Sequence, residues 1–407
     1  MQTKCAAAIA TVAAILLWVP AMATTAEKTS DTAPMPMSAA ELDRTIEQRM
    51  REGGLVGVGA AIIVDKRLVW MQGYGYADRE RAIAFTPDTV MNIGSISKTV
   101  SGVALMRAVQ DGKLSLDADI DSYLPFVVRN PSFPDVPITL RQLATHTSSI
   151  TDRWSVYAQT YHYGGDSPQP LASFLADYFG AGGKYQAAEN FLPNKPGTHR
   201  DYSNIAAALA GYIVERAVGE RLDAYTQRQI FAPLRMRSTA WFLSQVPPQR
   251  HAQLYVAQNG LSIPIPLYGG TTYPDGGVRT SVADLSRFFL ALLNDGAYDG
   301  GRILQRRSVE EMLRFQYSPA NKPDNVELDK KNSGIFWATK FDATRIGHGG
   351  SDPGVKTEML SDLDKELGVI FFTNTSLDEH QFRDYEGILD ALWQRARTLK
   401  QQGAARR

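Results

Sequence analysis

The segments of this chain that read as strands fall near its two ends, and a long, mostly helical stretch separates them. Residues 56–64 and 67–74 are apolar-rich runs joined only by Asp65-Lys66, a connection short enough to imply a β-hairpin. Residues 335–341, 354–361 and 367–374 have strand character near the other end. Outside these runs, residues 39–52 repeat Leu42, Ile46 and Met50 on one helical face, and a last amphipathic helix carries Ile388, Leu389, Leu392 and Trp393. Between them, helical spacing follows Ser95 as far as Asp111-Gly112 and returns over 205–218, 222–230 and 282–294. Early and late strands bury their apolar sides most economically in one shared sheet. The expected class is therefore α+β: an antiparallel sheet of N- and C-terminal strands flanked by helices, with a helical lobe inserted and a crevice between the two. The expected boundaries are 39–90 and 335–400 for the sheet lobe, 91–334 for the helical lobe and 401–407 for a tail.

Charge excludes some partners. The 43 Lys and Arg balance 43 Asp and Glu, which leaves no electrostatic footprint for nucleic acid. The start of the chain carries one positive charge, at Lys4, before an apolar run over 5–20. That run is broken by threonine and proline and is shorter than the ~20 residues of a membrane-spanning helix. Ala21-Met22-Ala23 then supplies a small-x-small cleavage pattern. A signal peptide over 1–23, a flexible linker over 24–38 and a periplasmic or secreted mature protein without stable membrane insertion are expected. The only cysteine, Cys5, would leave with the peptide, and with it any disulfide or thiol nucleophile.

Three short motifs can carry chemistry, and each has an ordinary alternative. In Ser95-Ile96-Ser97-Lys98, at the start of a predicted helix, positions i and i+3 share a face, so Lys98 can take the Ser95 proton if burial or a neighbouring cation lowers its pKa. One Ser-x-x-Lys is also roughly what composition alone supplies. In Tyr202-Ser203-Asn204, the phenol can relay protons and the amide can bind a carbonyl, or Asn204 can simply cap the following helix. In His348-Gly349-Gly350-Ser351, the glycines can admit a substrate backbone, the next N–H can serve an oxyanion hole, and His348 can offer a donor or positive charge to a carboxylate; otherwise the run is a glycine turn.

Together and in this order, the three motifs resemble the serine β-lactamase and penicillin-binding-protein superfamily, nearest its class C β-lactamase and DD-peptidase branch. Asp111-Gly112-Lys113-Leu114-Ser115-Leu116-Asp117, residues 138–148, Pro196-Gly197 and Asp275-Gly276-Gly277 look the same, so the similarity spans about 42–393. The resemblance implies a β-lactamase/transpeptidase-like fold and an acyl-enzyme on Ser95, with Lys98 and Tyr202 sharing the proton transfers in an order left open. It implies Asn204 on the substrate amide, Ser95 and Ser351 N–H groups as the oxyanion hole beside Gly350, and His348 orienting the leaving side. No cofactor or metal is implied, and oligomeric state stays open. His146 belongs to a structural turn in this pattern, with Ser149 where glycine is usual, and His199 to a surface loop. Histidine at 348, in place of lysine, points to D-amino-acid peptides or carboxylic esters before β-lactams; a weak β-lactamase or a non-catalytic binder of wall peptides is the alternative. Trp154, Tyr157, Tyr161, Tyr163, Tyr178 and Tyr185 crowd residues 151–195, either lining a cleft or filling core.

Overall fold

The computed structural model describes residues 36–405, apart from Asn259. The expected signal peptide and most of the linker lie outside the described residues. At the linker's end, Met37 N donates to Thr398 Oγ1 at 3.1 Å and Ser38 forms a capping box with Glu41, so these two residues belong to the folded unit.

Helix α1 (Ala39–Gly53) buries Leu42, Ile46 and Met50, as their spacing predicts, and stops at Gly54 in the left-handed conformation. The hairpin follows as β1 (Gly57–Val64) and β2 (Arg67–Asp78). Its two turn residues, Asp65 and Lys66, have φ of 48° and 60°, the left-handed pair a two-residue hairpin needs to match strand twist. A short β3 (Ile83–Ala84) flanks β2, and the remaining strands come from the other end of the chain: β4 (Ser333–Gly334), β5 (Trp337–Lys340), β6 (Arg345–Asp352), β7 (Val355–Asp362) and β8 (Leu367–Thr373). They form one eight-stranded antiparallel sheet in the order β4-β5-β6-β7-β8-β1-β2-β3. Strand β8 pairs directly with β1, Ala60 opposite Phe371, which joins the two ends of the chain.

Strand β1 is buried on both faces. Val58, Ala60 and Ile62 meet α1 and the terminal helix α5 (Glu379–Ala405), while Ala61 and Ile63 face the helical lobe. That lobe is built around α2 (Ser97–Gln110) and α3 (Asn204–Val218), with α4 (Val282–Leu293) against the sheet. Small residues let these elements approach. A Cβ on Gly211 of α3 would lie 2.4 Å from Pro274, so the 273–275 turn rests on the helix and delivers Asp275 to the middle of the lobe.

Three expectations are corrected. The late strands number five, because β4 and β6 carry little strand signature in sequence. His348-Gly349-Gly350-Ser351 is part of β6, not a turn before a strand. Helix α5 runs to Ala405, through the first residues of the expected tail. Among the described residues, no helix is long and apolar enough to cross a membrane.

Candidate active site

The corner that carries Ser95 is made by backbone constraint. Met91 and Asn92 pair with Thr280 and Arg279, and Asn92 Oδ1 accepts from Gly94 N at 2.9 Å. Gly94 has φ of +53°, and the 3₁₀ turn Gly94–Ile96 then leads into α2. Ser95 therefore stands on that turn, before the first α-helical residue, and is only partly covered.

Lys98, one turn on, is 0% exposed. Its Nζ donates to Ser95 Oγ at 3.0 Å, to Asn204 Oδ1 at 2.7 Å and to the Asp275 carbonyl oxygen at 2.9 Å. Three donated hydrogens describe an ammonium with no lone pair left over. Burial pulls its pKa down, yet Tyr202, Asp275 and Asp152 outweigh burial and hold it above the ordinary lysine value. The condition under which Lys98 alone could take the Ser95 proton, a lowered pKa, is thus not met, because its neighbours are carboxyl and phenol groups.

Ser203, not Asn204, caps α3: its Oγ accepts from Ala206 N at 2.9 Å. The Asn204 side chain is left to span Lys98 on one side and Asp152 on the other, donating from Nδ2 to Asp152 Oδ2 at 2.9 Å. Tyr202 is exposed, with Lys98 Nζ 5.0 Å from its ring centroid. His146 packs 4.3 Å from that ring and accepts from Ser203 N at 3.2 Å; burial keeps its pKa well below the usual value. It thus holds the Tyr202-Ser203 backbone as a neutral ring. Ser149 adopts φ of +65°, and its Oγ accepts from Asn130 Nδ2 at 3.0 Å.

Strand β6 closes the other side. A Cβ on Gly350 would lie 2.1 Å from the Ile93 carbonyl, and one on Gly349 would meet Glu358 and Lys340, which pair at 2.9 Å. These glycines admit the protein's own groups, where a substrate backbone was expected. The close approach sets Ser351 N beside the serine corner: a Cβ built on Gly94 would be 3.3 Å from it. His348 is buried with Nδ1 2.7 Å from the Gly349 carbonyl, to which it donates. Burial, with Lys98 nearby, pushes its pKa down to about 3. His348 is therefore neutral with its one N–H donated to Gly349, so of the donor or positive charge read from sequence neither is left for a substrate carboxylate.

Acidic groups instead surround the site. Asp275 and Asp352 are raised by burial to about 7 and about 6. Tyr157 OH reaches both Asp275 carboxylate oxygens at 3.3 Å, and Tyr161 OH donates to Asp352 Oδ1 at 2.5 Å. Asp152 accepts from Ser203 Oγ at 2.7 Å, Asn204 N at 2.8 Å and Ile205 N at 2.9 Å besides Asn204 Nδ2. None of the three carboxylates carried a role in the sequence reading. Asp275 lies in a family-like run without an assigned task, and no spacing rule connects Asp152 to a helix that starts at Asn204.

The aromatics of 151–195 divide. Tyr157 and Tyr161 adjoin these carboxylates, and their ring contacts extend at 5.4–5.9 Å through Tyr268 to Tyr163 and from Tyr157 to Trp154. Tyr178 and Tyr185 pack on Phe174. His199 sits at the surface, 2.6 Å from Asp324. Among the described residues, no group of three or more His, Cys, Asp and Glu converges as a metal ligand set would.

The chain is similar in sequence and fold to known proteins. A family model described as Beta-lactamase matches residues 42–392. The chain is 29% identical over 322 residues to esterase EstB of Burkholderia gladioli, covering 77% of this chain and 75% of that one. The octameric penicillin-binding protein homologue of Pyrococcus abyssi has a similar structure, with a TM-score of 0.70 and 26% identity over 84% of this chain and 74% of that chain. The D-amino acid amidase of Ochrobactrum anthropi shares the fold, with a TM-score of 0.63 and 21% identity over 86% and 98%.

Proposed function

This chain belongs to the Beta-lactamase family, and on that footing we propose that it is an exported serine hydrolase that opens carboxylic esters or amides through an acyl-enzyme on Ser95. The observation that carries the reading is the convergence on Lys98 Nζ of Ser95 Oγ, Asn204 Oδ1 and the Asp275 carbonyl, with Ser351 N across the corner. Ser95 Oγ attacks the substrate carbonyl while the Ser95 and Ser351 N–H groups receive the developing oxyanion. Lys98 and Tyr202, whose ring centroid lies 5.0 Å from Lys98 Nζ, together carry the Ser95 proton to the leaving alcohol or amine as that bond breaks. Water then cleaves the acyl-enzyme by the reverse route. Export rests on the leading residues 1–23.

The charge pattern favours substrates without a carboxylate beside the scissile bond. Lys98 has spent its donors, His348 is neutral, Lys340 and Lys356 pair with Glu358, and Arg279 donates to the Trp241, Gly277 and Tyr268 carbonyls. EstB, an esterase by name, supports the ester over the D-amino-acid peptide. Wild type and Ser95→Ala are compared on p-nitrophenyl butyrate, a D-alanyl-D-alanine peptide and nitrocefin, the last two carrying carboxylates. The ester is expected to turn over fastest and only with Ser95 present. Equal rates in both proteins would remove Ser95 as nucleophile, and a preference for the peptide or nitrocefin would overturn the charge argument.

A further inference from the structure

We propose that Asp152 is a positioning residue that decides which end of the Asn204 amide faces Lys98, and thereby holds the lysine on Ser95; this rests on the reading of Ser95 and Lys98 as reacting groups. An asparagine amide has an acceptor end and a donor end of nearly the same shape. Only the acceptor end suits an ammonium. Asp152 settles the choice by accepting Nδ2 on its Oδ2, which turns Oδ1 to Lys98 Nζ at 2.7 Å.

The carboxylate is itself fixed. Its Oδ1 accepts from Ser203 Oγ and Ile205 N, and its Oδ2 from Asn204 N and Asn204 Nδ2, all between 2.7 and 2.9 Å. Burial raises the Asp152 pKa, while its three N–H partners, which can only donate, the Ser203 hydroxyl and the nearby Lys98 favour the carboxylate. It therefore also supplies negative charge near Lys98. The other titratable groups around that lysine are Tyr202, Asp275, Asp352, His348 and His146, of which the histidines are neutral.

An isosteric amide at 152 breaks the arrangement in a defined way. In Asp152→Asn, the new oxygen keeps Ser203 Oγ and Ile205 N, and the new NH₂ then faces two donors of Asn204. The Asn204 amide flips to relieve this, its own NH₂ meets the Lys98 ammonium, and the lysine loses an anchor. A hydrolase whose lysine is misplaced by a fraction of an ångström turns over more slowly but still admits substrate.

The test is p-nitrophenyl butyrate hydrolysis by full-length protein, with sites counted by end-point labelling with a fluorescent fluorophosphonate. For D152N, kcat per labelled site is expected to fall about tenfold to a hundredfold while KM stays within about threefold. Ser203→Ala removes the helix cap and one of the four bonds to the carboxylate but leaves its charge and its bond to Asn204 Nδ2, so its melting temperature should drop while kcat per labelled site falls by less than in D152N. Should D152N not fold, Asp152→Glu keeps the charge but displaces the oxygens by a methylene and must lower kcat per site. Wild-type kcat per site in whichever Asp152 variant folds, or an S203A loss as large as that variant's, overturns the proposal. S95A in the same series keeps the two readings apart, because an S95A protein as active as wild type removes the nucleophile and says so independently of Asp152.

Discussion

Lys98 organises the titrations around it. An ammonium buried among Tyr202, Asp275, Asp152 and Asp352 is stabilised by them, while the carboxylates carry the cost of their own burial. Asp275 shows the balance best, because it is 5% exposed and its pKa rises from 3.8 to about 7. A folded-state pKa above the unfolded one contributes stability that is complete below pH 3.8 and is lost as pH rises through about 7. Asp275→Asn carries no charge at any pH. Relative to wild type, its unfolding free energy in urea should therefore improve by about 2–4 kcal/mol between pH 4 and pH 8. A pH-independent difference would show that Asp275 is not held protonated. At this scale sequence reading named Ser95, Lys98 and Asn204, which the structure brings together at Lys98 Nζ, and Tyr202 beside them, because all four lie on short motifs. It missed Asp152 and Asp352, and it left open the charge of His348 and the pKa of Lys98, which burial and the surrounding groups decide. Those properties belong to groups brought near by folding, not to neighbours in the chain.

Among the elements, those with clean periodicity were legible: α1 from Leu42, Ile46 and Met50, and the hairpin from the brevity of Asp65-Lys66. Strand β6 was not, because His348-Gly349-Gly350-Ser351 has poor strand propensity and owes its conformation to β7 alongside and the Ile93 carbonyl above. That dependence makes Gly350 a test of the element. In Gly350→Ala, the new Cβ must be relieved from 2.1 Å off the Ile93 oxygen, a backbone atom that cannot swing away. Either β6 or the serine corner moves. The expected result is a loss of about 1–3 kcal/mol in unfolding free energy, with ester turnover lowered by about tenfold or more as Ser351 N leaves the corner. Wild-type turnover in a folded G350A protein would separate the approach of β6 from catalysis.

Across the whole molecule, one sheet divides two apolar clusters with different duties. The pairing of early with late strands followed from economy of burial, and the structure adds that β8 lies directly against β1, so neither end of the chain completes the sheet alone. On one face, α1 and α5 cover Val58, Ala60 and Ile62 with Leu42, Ile46, Ile388 and Leu392. On the other, the helical lobe holds Ser95, Lys98 and Asn204. Stability and chemistry should then be separable by face. Leu392→Ala removes a side chain that is 0% exposed in the first cluster, and the cavity should cost about 2–4 kcal/mol. The sheet stays fully hydrogen-bonded between that cavity and the site, and close-packed layers relax mostly next to the lesion. Urea unfolding should therefore record the loss while kcat per labelled site, measured well below the melting temperature, stays at the wild-type value. A fall in kcat per site without a fall in stability would mean that the helical lobe senses α5 through the sheet.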